Sequence, residues 1–174
     1  MKVTLLALTG LLAVVSFCAC NNDDNSDTNN IVNATDSSFV LNAGMSNTAE
    51  IRAADLALSK SADTAIINFA NMMKADHTAA QTSLKSIASY YGLTAPDSVD
   101  AAHAAKATEL ALLNGRAFDS AYINEQVVDH QTTIQLFQTE GSNGNNNDLK
   151  NFADSTLPKL QMHLVRADSI AARF

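Results

Sequence analysis

From Asp36 to the C-terminal Phe174 the chain repeats small and apolar residues at alternating steps of four and three, with only Pro96 and Pro158 to interrupt it. That spacing lays one stripe along a helix, and a stripe can be buried only against other helices. No segment alternates apolar and polar residues as a half-buried strand would. The class expected is therefore all-α.

Turn and capping residues divide this region into five helices. Asp36 is expected to cap the first, which runs to about Lys60. Asp63 caps a second, Thr64 to Tyr91, which Gly92 ends. Asp97 or Ser98 caps a third that reaches about Asn114, before Gly115. Phe118 or Asp119 opens a fourth ending near Gly141, and the Gly/Asn-rich run from Ser142 to Asn147 is a loop. A fifth helix spans about Asp148 to Arg173 and is expected to bend at Pro158, whose missing N–H breaks one backbone bond. Residues 36–174 suit one domain of ordinary size.

Every histidine of the chain lies on one of these stripes. Helix two presents Ile66, Ala70, Met73, His77, Ala80, Leu84, Ile87 and Tyr91. Helix four presents Ile123, Val127, His130, Ile134 and Phe137. Helix five presents Leu149, Ala153, Thr156, Leu160, His163, Ala167 and Ile170. Helix three, less regular, carries Val99, His103, Lys106, Leu110 and Leu113. Helix one carries Val40, Ala43, Asn47, Glu50, Ala54 and Ala57, so a carboxylate joins the inward set. An internal repeat adds weight. Asp76-His77-Thr78 resembles Asp129-His130-Gln131-Thr132 at one fixed offset, which also relates Phe69 to Tyr122, Leu84 to Phe137, and Glu50 to His103. The architecture expected is a ferritin-like or up-down four-helix bundle built from two related hairpins, plus a C-terminal fifth helix.

Residues 1–35 have another character. Lys2 precedes an apolar run, Val3 to Phe17, that is shorter than the roughly 20 residues a membrane-spanning helix needs. It ends in Phe17-Cys18-Ala19-Cys20, which resembles the lipobox of bacterial lipoproteins. Residues 1–19 are expected to be a cleaved signal peptide, with Cys20 as the lipidated residue and Cys18 as the alternative. Asn21 to Thr35, rich in Asn and Asp, has no periodicity and reads as a disordered polar tether. Acidic residues so close to the cysteine also resemble surface-export signals of some Gram-negative lipoproteins. Cleavage at Cys20 would leave no second cysteine and hence no disulfide. The membrane is thus an expected partner through the lipid, in the cell envelope at the outer membrane. A net charge of −7 disfavours nucleic acid.

Glu50-Ile51, Phe69-Ala70 with Met73, Asp76-His77-Thr78, Phe118-Asp119 with Tyr122, Asp129-His130, and Leu157-Pro158 with Leu160 and His163-Leu164 together resemble domain-of-unknown-function family 4142. The likeness spans residues 38–170. It implies a ferritin-like helical fold and an outer-membrane or periplasmic setting, and it supplies no reaction.

The chemistry expected follows from the inward residues. Neutral imidazole ligates zinc, copper, iron and nickel. Glu50, His77, His103, His130 and His163 are therefore candidate ligands for a transition metal. Asp76 and Asp129, about 100° round the helix from their histidines, are placed either to orient a histidine of a neighbouring helix or to stand as solvated charges or helix-to-helix salt bridges. The Glu-x-x-His pattern of di-iron bundles is absent, with Lys74, Val127 and Leu160 in the relevant positions. Zinc or copper is favoured over iron or manganese. No Ser/His/Asp set, phosphate loop or cofactor fingerprint is present, so no catalytic residue is assigned. The competing expectation is a non-catalytic envelope interaction or stress protein whose buried histidines only specify the fold.

Overall fold

The structure is a computed structural model that describes residues 30–174. The expected signal peptide, Cys20 and the first part of the tether lie outside the described residues. Five helices follow in order: α1 (Ala34–Lys60), α2 (Thr64–Tyr90), α3 (Ala101–Leu112), α4 (Gly115–Asn143) and α5 (Asn147–Ala171). None is long and apolar enough to cross a membrane.

The boundaries follow local hydrogen bonding. Asp63 caps α2 by accepting from the N–H groups of Ala65 and Ile66. Asn146 does the same for α5, and Asp100 for α3. Asp36 does not cap α1. Asn33 does, accepting from the Asp36 N–H at 2.9 Å while the Asp36 carboxylate accepts from the Asn33 N–H at 2.6 Å. This reciprocal capping box moves the start of the helix into the expected tether. Asn30 and Ile31 are held as well, their carbonyls accepting from Asn146 and Asn145. Gly92, at φ +70°, ends α2 as expected. Further along the chain, α5 continues through Pro158.

Four long helices make the bundle: α1, α2, α4 and α5. Helix α1 packs on α2 and α4, and α5 packs on α4 and α2, so α1 faces α5 across one diagonal and α2 faces α4 across the other. The end contacts fix direction. At one end Asn33 bonds to the carbonyl of Asn143, and Tyr91 to Asp148. At the other, Arg173 reaches Asp63, and Arg116 reaches the carbonyl of Arg173. Helices α2 and α4 thus run the same way, and residues 91–114 must return the full length of the bundle between them. Helix α3 makes that return along the groove between α1 and α4, where Lys60 at the far end bonds to the carbonyl of Ala111. This is the crossover of a ferritin-like bundle rather than an up-down arrangement. The all-α class and the five helices match the sequence reading. The parts differ in one respect: α5 is the fourth member of the bundle, and the added helix is α3.

The crossover presses closely on α1. A Cβ on Gly44 would lie 2.6 Å from Pro96 Cδ, so only glycine admits the proline there. Thr48 Oγ1 then donates to the Pro96 carbonyl at 3.2 Å.

Apolar packing forms two clusters. One, around Phe39, Leu84, Phe137, Leu149, Phe152 and Leu160, fills the end near the α4–α5 turn. The other, around Ile66, Phe69, Met73, Phe118, Tyr122 and Ile123, fills the opposite end. Aromatic edges hold both, with Phe39 and Phe137 centroids 4.9 Å apart and Phe69 and Tyr122 6.4 Å apart. Between them lies a buried polar layer of Asn47, Glu50, His77, Gln81, Gln126, His130 and His163.

At the α4–α5 turn, the fully buried Asp36 carboxylate also accepts from the N–H groups of Asn145 and Asn146 at 3.0 and 3.1 Å. Glu140, equally buried, hydrogen-bonds to that carboxylate, and burial followed by this neighbour pushes its pKa up to about 8. With no N–H or O–H donor on its oxygens, Glu140 is the partner that carries the proton.

Candidate metal centre

Three imidazoles meet in the polar layer: His77 from α2, His130 from α4 and His163 from α5. Each is at least 97 % buried. One ring nitrogen from each lies within 4.8 Å of the other two. Ring centroids stand 5.7, 5.5 and 5.4 Å apart, a nearly equilateral triangle.

The protonation of each ring follows from what lies outside the triangle. His130 Nδ1 is 2.8 Å from the Gln126 carbonyl, which can only accept, so Nδ1 bears the hydrogen. His163 Nε2 is 2.9 Å from the Asp76 carboxylate and donates to it. His77 is set by a longer relay. The Pro96 carbonyl accepts from Gln81 Nε2 at 2.7 Å, leaving Gln81 Oε1 to accept from Asn47 Nδ2 at 3.3 Å. Asn47 Oδ1 then accepts from His77 Nδ1 at 2.9 Å. The nitrogens left over, Nε2 of His77, Nε2 of His130 and Nδ1 of His163, are all lone-pair acceptors. All three are buried without a partner.

Electrostatics keep the rings neutral. Burial holds the His77 pKa well below its ordinary value, helped by the two neighbouring histidines. Burial pushes His130 down to about 4 and also lowers His163, against the opposing pull of Asp76. The three rings therefore offer one another three acceptors and no donor. Buried polar groups are normally paired, and these three nitrogens form a group that could hold a metal ion.

The remaining candidates fall elsewhere. Glu50 is buried beside His130, but its Oε1 lies 3.6 Å from Nδ1, on the side of the ring away from the free nitrogen. Burial pushes its pKa up to about 8, against the lowering effect of a hydrogen bond from Gln126. His103 is not part of the group. It sits on the crossover helix, a quarter exposed, with its ring beside Asp100 at 2.9 Å. The sequence repeat pairs Glu50 with His103, but α5 occupies the bundle position that such a partner would need. Asp76 does orient a histidine of a neighbouring helix, His163. Asp129 does not, because it is held by Lys106 of α3 at 2.8 Å. The orienting roles of Asn47, Gln81 and the Gln126 carbonyl were not foreseen, although Asn47 stands on the expected α1 stripe.

Beside this layer, α1, α3 and α4 enclose a cavity of about 260 Å³, lined mainly by Ala49, Ala53, Leu56, Ala107 and Leu110, with Glu50 on its wall.

A four-helix crossover bundle with imidazoles converging at its waist is the class that the fold and site define. The chain belongs to the family described as Domain of unknown function (DUF4142), whose sequence profile matches residues 22–170. Among solved structures it is similar to the crystal structure of a DUF305 fragment from Deinococcus radiodurans, with a TM-score of 0.73 at 10% identity, covering 82% of this chain and 99% of that one. At that identity the likeness concerns the fold alone. A search of curated proteins finds no match.

Proposed function

We propose that this domain binds a transition-metal ion through His77, His130 and His163. The observation that carries the reading is the set of three buried lone pairs, each fixed by a hydrogen bond on the opposite side of its ring. Metal-ligating histidines characteristically donate their other N–H to a carboxylate, carbonyl or amide in this way. The spacing supports it too. With metal–nitrogen bonds of about 2.0 Å, three rings around an ion stand about 5.1 to 5.5 Å apart by centroid. The observed triangle has nearly that size, so ring rotation rather than helix movement brings the nitrogens onto an ion. If the histidines only specified the fold, at least one would be expected to donate to another.

The sequence pattern ending in Ala19-Cys20 supports placing this domain in the cell envelope, lipid-anchored through Cys20 at the outer membrane. Metal binding or handling in that compartment is the activity proposed, with no reaction attached to it.

Metal analysis of the purified protein tests the reading. A chelator should lower its thermal midpoint and a transition metal restore it, because a ligand specific to the native state stabilises by about 2.7 kcal/mol at a hundred times its dissociation constant. His130→Gln should lose both the bound metal and the response to chelator. A parent protein that stays metal-free and indifferent to chelator after incubation with zinc, copper, iron and manganese would overturn the proposal.

A further inference from the structure

Given the metal reading above, on which this inference rests, we propose that the site selects a closed-shell monovalent ion, Cu(I), held in a three-coordinate plane, over a divalent ion. Three observations converge on this.

The first is ligand number. Among the described residues the histidine, cysteine and carboxylate groups that could hold an ion come together only as His77, His130 and His163. Glu50, the nearest carboxyl on α1, approaches His130 at Nδ1, 3.6 Å away, rather than at its free nitrogen, and is not part of the group. Zinc sites with three protein ligands complete their tetrahedron with water or substrate. Here none of the three free nitrogens reaches solvent, and two apolar clusters close the layer from either end.

Charge is the second. All three ligands are neutral. Two carboxyl groups stand beside them: Asp76, which acts through His163 and is already paired with Lys159 at 2.8 Å, and the buried Glu50, 3.6 Å from His130 Nδ1. An entering ion therefore meets no charge on the three ligating atoms themselves, and the cost of burying charge rises with its square. A divalent ion with three neutral ligands pays about four times what a monovalent one does.

Shape is the third. Rings arranged in a plane around an ion stand about 5.4 Å apart by centroid, and tetrahedral bond angles bring them to about 5.1 Å. The three separations of 5.4, 5.5 and 5.7 Å are none of them shorter than the planar case, so three rings can turn onto an ion without the helices moving apart. Imidazole is a ligand for copper as well as zinc, so it is the low ligand number and the missing ligand charge that favour the filled-shell monovalent ion.

The test is an anaerobic titration of the full protein with Cu(I) against bicinchoninate, and with Zn(II) against a chromophoric zinc chelator. Ag(I) serves as a redox-silent probe of the same chemistry. The expected result is one Cu(I) per chain, displaced by Ag(I), with Zn(II) bound more weakly. X-ray absorption of the Cu(I) form should show three nitrogen neighbours and no fourth ligand, and His163→Gln should abolish tight binding. Zn(II) binding as tightly as Cu(I), or a fourth light-atom ligand on copper, overturns this proposal and leaves the three-histidine site standing. Absence of any bound ion overturns both.

Discussion

His77 Nδ1 donates to Asn47 Oδ1 across the α1–α2 interface at 2.9 Å, and the direction of that bond is dictated from the crossover, three hydrogen bonds away, by the carbonyl of Pro96. Two positions equally distant from the α1–α2 turn thereby meet at one level of the bundle.

Replacing Asn47 with Leu removes the acceptor while keeping the volume. The buried His77 N–H is then unpaired, which costs about 1–3 kcal/mol of stability. Metal affinity should fall by about 10–100-fold, as when the orienting partner of a ligand histidine is lost. Asn47→Asp keeps an acceptor and should keep most of the affinity. Equal metal affinities in the wild type and the Leu variant, measured by competitive titration, would show that the relay does not orient His77.

The metal-free protein should be most stable slightly below neutral pH. Burial lowers the pKa of His77, His130 and His163 relative to an unfolded value of 6.5. The unfolded chain therefore binds more protons on the acid side, and stability falls as pH drops from 6.5 towards the His130 value of about 4. Glu50 and Glu140 have the opposite sign. Their pKa values rise from 4.5 to about 8, so the stability they contribute is lost as pH climbs through that interval. Only this second effect operates between 6.5 and 8. Glu140→Gln retains a donor towards Asp36 without an ionisable group and should flatten the alkaline decline in urea denaturation. An unchanged slope from pH 6.5 to 8.5 would mean that Glu140 does not hold the proton.

Gly44→Val tests the docking of the crossover on α1. The added Cβ would collide with Pro96 Cδ, so the segment must shift. Overpacking of this kind costs about 1–3 kcal/mol. Because Pro96 also anchors Gln81, the variant should lose metal affinity as well as stability. Lower stability with undiminished affinity would separate the two roles of the segment.

The proposed anchor is tested at the cysteines. Cys20→Ser should abolish lipid labelling and release the protein from the membrane fraction. Labelling that persists there and disappears in Cys18→Ser would move the modified residue to Cys18.

Much of the bundle was legible because its stripes are long. The α1 positions Val40, Ala43, Asn47, Glu50, Ala54 and Ala57 are all buried as the periodicity requires. The strict four-three reading failed where it outran the true helical period: Gln81 rather than Ala80, and Gln126 rather than Val127, turn inward. Those two residues supply the relay and the contact beside Glu50. His77, His130 and His163 were found as inward residues, but their selection over His103 was not readable, since it depends on which four helices form the bundle. Helix α3 has an acceptable stripe yet buries only Leu110, because a chain returning over the outside of a bundle meets it along one shallow groove. Depth along the axis was informative. Counted from the α1–α2 turn, the residue level with His77 is Asn47, and Glu50 lies about one helical turn nearer that connection.

The contact of Pro96 with Gln81 also bears on the order in which the molecule can be assembled. Helices α1 and α2 can associate as a local hairpin, and α4 with α5 as another, each from contacts close in sequence. The return of residues 91–114 closes a longer loop and belongs later on that scale. Until it docks, Gln81 lacks the acceptor that fixes its amide, and His77 is free to present either nitrogen. A bound ion would thus act as a clock for refolding: helical signal recovers first, and full metal affinity returns only when the crossover has settled against Gly44.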